Sequence, residues 1–111
     1  MPLESDNVIP FEKALLRKRV AAAVAVALEE RSPVATVDAA EQMAELDINK
    51  SQIIHGIKRA EILEFSEDVS NGRILFTAKL LSAGEEFFVS AAVERVVPLQ
   101  GVHVVIKRVW R

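Results

Sequence analysis

The sequence predicts an α+β domain, with two or three N-terminal helices packed on an antiparallel meander of about four strands. Three observations predict it. The hydrophobic period changes from helical to two at Ala60. Helix stops and caps stand at Ser32-Pro33 and Asn49. Turn signals recur at Asn71-Gly72, Ser82 to Gly84 and Pro98 to Gly101. At 111 residues the chain has room for a single domain, residues 1–111, and no linker or repeat divides it.

The first helix opens at Pro10, a favourable first-turn residue, and runs to about Arg31. Phe11, Leu15, Val20, Val24 and Leu28 form its expected inward stripe, with Lys13, Arg17 and Lys18 off it. Ser32-Pro33 ends it. Val34 to Val37 is β-prone, and Asp38 is expected to cap a second helix over 39–46. Asn49 caps a third, with Gln52 placed for a capping box and Ile53, Ile54 and Ile57 on its apolar side. A short strand is expected over 62–65. In the next strand Ile74, Phe76, Ala78 and Leu80 face inward, opposite Arg73, Thr77 and Lys79. Phe87, Val89, Ala91 and Val93 repeat the pattern opposite Glu86, Ser90 and Glu94, and residues 102–110 close the sheet.

Composition excludes several chemistries. Apolar residues make up 50% of the chain and charged residues 27%, which favours a folded core over disorder. There is no cysteine, so disulfides, thiolate metal sites and cysteine nucleophiles are ruled out. Two histidines, His55 and His103, cannot make a three-histidine centre, and tyrosine is absent. The net charge of −2 and the pI of about 5.7 argue against duplex DNA held by its phosphates alone. The longest apolar run, Val20 to Leu28, is far short of the roughly 20 residues a spanning helix needs, and the acids before it do not fit a secretory leader. No membrane association and a cytoplasmic location are therefore expected.

No glycine spacing fits a nucleotide cradle, and no cofactor or metal is expected. Glu61, Glu64, Glu67 and Asp68 read as a solvated strand edge and turn, and His55 as a surface residue at a helix end. The last strand is basic and free of acids. Alternation puts His103, Lys107 and Arg111 on one face, with Arg108 on the other and the single tryptophan at the end. Two readings stand side by side: a strand able to bind RNA through cations and a stacking ring, or a charge-protected edge strand whose Trp110 caps the core.

Several phrases resemble a family of small bacterial and phage proteins of unknown function, grouped near the RelE-like and MqsR-like toxins of toxin–antitoxin systems. They are Val34-Ala-Thr-Val-Asp-Ala-Ala-Glu-Gln-Met-Ala-Glu-Leu-Asp-Ile48, Ile53 to Ile57, Asn71-Gly-Arg73 and the last strand. The family pattern is phenylalanine, Ser or Thr, any residue, His-Ala, two variable positions, Arg-Met, two variable positions, Arg-Gly-Ile. The resemblance implies a RelE-like core over 34–111, with 1–33 as an N-terminal helical extension. With Met43 on the family methionine, Asp38 stands at the histidine, Gln42 at the first arginine and Leu46 at the second. All three basic positions are replaced.

A ribonuclease of that type needs cations on a phosphate and a proton carrier near the 2′-hydroxyl. On the sheet, Arg73, His103 and Arg108 are the groups the resemblance offers. On the helix, Asp38, Glu41 and Glu45 make an acidic side by their spacing and would repel RNA. The leading expectation is thus a non-catalytic protein-binding module on a RelE-like scaffold, a mobile-element or phage inhibitor or modulator. Its partner would be another protein with a basic surface, met by Asp38, Glu41 and Glu45. The alternatives are a messenger-RNA-cleaving toxin acting on RNA or the ribosome, and a homodimeric structural module that pairs through 20–28 or a sheet edge.

Overall fold

The computed structural model describes residues 11–68, 70 and 72–111. Its elements run α1 (Phe11–Glu30), β1 (Val34–Ala35), α2 (Val37–Leu46), α3 (Lys50–Ile57), β2 (Glu61–Asp68), β3 (Arg73–Ser82), β4 (Glu85–Arg95) and β5 (Val102–Trp110). The class is α+β, as expected. The sheet is mixed and five-stranded, in the order β1-β5-β4-β3-β2. β2 to β5 form the antiparallel meander, and β1 adds a parallel edge through Val34 and Ala35, opposite Val105 and Ile106. Pro10 and Asn71 lie outside the described residues.

Local chemistry sets the helix boundaries. Thr36 is extended (φ −68°, ψ 165°), and its Oγ1 accepts the Ala39 N–H at 3.1 Å, so Thr36 and not Asp38 caps α2. Asp38 sits in the first turn, where its charge favours the positive end of the helix. Asp47 ends α2 in the left-handed region (φ 57°, ψ 44°), and the Ile48 N–H reaches back to the Met43 carbonyl at 2.8 Å. The α3 capping box forms as expected: Asn49 Oδ1 accepts the Gln52 N–H at 2.9 Å, and Gln52 Oε1 accepts the Asn49 N–H at 2.8 Å. β2 is twice the expected length, with a register irregularity between Ile62 and Glu64.

The core lies between the helices and one face of the sheet. Phe76, Ala78, Leu80, Phe87, Val89, Ala91, Val104, Ile106 and Val109 pack against Val20, Val24, Ala27, Ala39, Ile53 and Ile57. The inward side of α1 is therefore Val20, Val24 and Ala27, while Leu15, expected inward, is 46% exposed. Gly56 lets α3 lie close on β3, because a Cβ there would stand 3.0 Å from Leu80 Cβ. α2 also seals the edge of β5 beyond its short pairing with β1. Gln42 Oε1 accepts the Val109 N–H at 2.7 Å, Thr36 Oγ1 donates to the Lys107 carbonyl at 3.4 Å, and Arg111 Nη2 donates to the Leu46 carbonyl at 2.9 Å. β5 is an inner strand and not a charge-protected edge. Trp110 does not cap the core: it lies on the opposite face of the sheet, stacked on Phe88.

Candidate functional site on the open sheet face

The helices cover one face of the sheet, and the other carries the clustered polar chemistry. Pairing of the strands arranges that face in rows. The first row is Glu61, Lys79, Phe88 and Trp110; the second is Glu64, Thr77, Ser90 and Arg108. The third is Ser66, Leu75, Ala92 and Val105, and at the far end Asp68 pairs with Arg73 and Glu94 with His103. A β-bulge at Ser90/Ala91 against Ile106 to Arg108 shifts β5 by one residue. Simple alternation separates Arg108 from His103; the bulge instead brings both to the open face.

Two clusters result. At the end row, Glu94 holds two cations: Arg73 Nη1 at 3.8 Å from Oε1, and Lys107 Nζ at 3.4 Å from Oε2. The Glu94 side chain is only 17% exposed. His103 is buried at 7% exposure, although the sequence gives no sign of it. Arg73 Nε, Glu94 Oε1 and His103 Nδ1 are each buried with no hydrogen-bond partner. Three such atoms in adjacent strands make this the least satisfied polar spot among the described residues, and buried polar groups are ordinarily paired.

At the other end, Phe88 and Trp110 stack with centroids 5.7 Å apart and planes 14° apart, and the Arg108 guanidinium carbon stands 5.2 Å from the Trp110 ring centre. Between them a shallow cavity of about 290 Å³ is lined by Glu64, Ser66, Leu75, Thr77 and Ser90, among others.

The structure thus joins Arg73 with His103 through Glu94, but Arg108 stands four register positions along the sheet, on the order of 13 Å away. The three do not converge on one phosphate. Lys107 belongs to the Glu94 cluster, whereas Arg111 follows β5 and binds α2 and Glu85 (3.4 Å) instead. Asp38, Glu41 and Glu45 are all exposed along one side of α2, and Gln42 between them is used by the fold, its Oε1 accepting the Val109 N–H. His55 is exposed in the last turn of α3.

Sequence reading missed Glu94 and Phe88. Phe88 did carry a signal, as an aromatic on the polar side of β4 between Glu86 and Ser90. Among the described residues no group of His, Asp and Glu is placed to hold a metal, and no helix is long and apolar enough to cross a membrane. Comparison of the chain with protein-family models, with curated proteins and with solved structures returns no match.

Proposed function

We propose that this protein is a non-catalytic binding module that grips another protein with the open face of its sheet. The observation that carries the reading is the Phe88–Trp110–Arg108 platform on a face the helices leave free. Aromatic rings and arginine dominate the energetics of protein interfaces, because they bury large areas around a directed polar group. The charges of the face favour a protein over a nucleic acid. Arg73, Lys79, Lys107 and Arg108 are interleaved with Glu61, Glu64, Asp68, Glu86 and Glu94. A phosphate chain would meet as many carboxylates as cations, whereas a partner with its own alternating charges matches them. The acidic side of α2 offers a second contact, suited to a basic part of the same partner.

A RelE-like scaffold of phage or mobile-element origin, working in the cytoplasm, goes with this reading. Asp47 supports the scaffold, since it adopts the left-handed conformation at the position where the family pattern has glycine. A photo-crosslinking residue placed at Arg108 or Glu64, and for comparison at His55 on a helix, tests the proposal in cells. The expected result is one protein adduct from the open-face positions and none from His55. Adducts to RNA alone, or none from the open face, would sink it.

A second reading, an RNA-cleaving toxin, is favoured by the end row alone. It would use Glu94 as the base for a 2′-hydroxyl proton and Arg73 and Lys107 as the cations on the phosphate, with His103 paired to Glu94 in the sheet register. It predicts translation arrest on induction of the wild type, abolished in Glu94→Gln and in Arg73→Ala, but retained in Arg108→Ala. No arrest from the wild type removes it.

A further inference from the structure

α1 leaves apolar side chains exposed among its charges. Leu15, Leu16 and Val26 are 46%, 41% and 53% exposed, and Ala22 and Ala25 are exposed between them. Leu15, Lys18, Ala22, Ala25 and Glu29 follow one another at alternating spacings of three and four, all exposed, on the side away from Val20, Val24 and Ala27. That spacing is the one along which two helices meet in a coiled contact, here with alanines at the centre and charges at Lys18 and Glu29. Among the described side chains its exposed charges differ in sign along the helix, with Lys13, Lys18 and Arg19 in the first half and Glu29 and Glu30 at its end.

We infer that two copies of the chain pair antiparallel through this side of α1. Charge complementarity selects both the occupant and its direction. Antiparallel, with the two-fold axis between Ala22 and Ala25, Lys18 of each copy meets Glu29 of the other, two such contacts per dimer, while Ala22 meets Ala25. Parallel pairing would set Lys18 against Lys18 and Glu29 against Glu29. The small alanines let the helix axes approach closely, and the contact is isologous and closed, so it stops at two copies. The open sheet face takes no part, so each dimer presents two of them, and the pairing stands whatever that face binds.

Sedimentation of the full chain at about 100 μM gives the first reading: a mass twice 12.3 kDa is expected, and a monomer there overturns the inference. Lys18→Glu and Glu29→Lys, each alone, face like charges across the axis and should weaken pairing at least about tenfold, with unchanged circular dichroism. Mixing the two variants should restore the dimer as a heterodimer, because both contacts are then of opposite charge. Combining both substitutions in one chain should restore the homodimer only for the antiparallel α1 contact, because parallel pairing would again set like charges together. A dimer indifferent to the single substitutions, or not recovered on mixing, overturns the proposal.

Discussion

Gln42 and His103 are both polar side chains next to β5, and they differ in whether their polar atoms find partners. Gln42 accepts the Val109 N–H at 2.7 Å, a backbone donor no strand reaches. Gln42→Leu leaves that donor unpaired at the cost of about 1–3 kcal/mol, read by chemical unfolding, while Gln42→Glu keeps an acceptor and most of the stability. His103 has the opposite balance, since its Nδ1 is buried and unpartnered. His103→Leu removes that atom, so unfolding should show stability unchanged or higher, whereas any function of the end row should fall. A destabilised His103→Leu would mean that the ring is held for packing. Gly56 is a third case. Gly56→Ala gains about 1 kcal/mol of helix propensity but drives a methyl group against Leu80, which is fully buried. Overpacking of about 1–3 kcal/mol outweighs the gain, and a lower midpoint of unfolding is expected.

The start of α2 separates two residues that look alike in sequence. Thr36 and Asp38 are both good capping types two positions apart, and only the backbone decides which is used. Extended φ and ψ at Thr36 place its Oγ1 on the Ala39 N–H, and the same residue ties α2 to β5 through Ile106 and Lys107. Thr36→Ala should cost about 1 kcal/mol in thermal unfolding, and Asp38→Ala under about 0.5 kcal/mol. Equal losses would reassign the cap. The α3 box was readable because Asn49 and Gln52 are close in sequence and satisfy each other. The inward side of α1 was not: apolar residues surround that helix, so spacing alone does not distinguish Leu15, which is outside, from Val20, which is inside.

At the scale of the molecule, helices on one sheet face leave the other open, and the acidic side of α2 is exposed as well. Replacing Asp38, Glu41 and Glu45 by Lys should alter stability by under about 0.5 kcal/mol each, since all three are exposed, while shifting the salt dependence of partner binding. By itself the sequence determined the α+β class, the meander, the alternating faces of β3 and β4, and the chemistries its composition forbids. These follow from short-range periodicity and from which side chains exist at all. Tertiary structure decided the rest. It turned the β-prone stretch after Pro33 into a parallel edge strand, because two residues carry no pairing signal of their own and form a strand only against Val105 and Ile106. It placed Arg108 beside Trp110 on the same face as His103, because one bulge residue inverts every alternation beyond it. It also gathered Arg73, Glu94 and His103, which are far apart in the chain and meet only where three strands lie side by side.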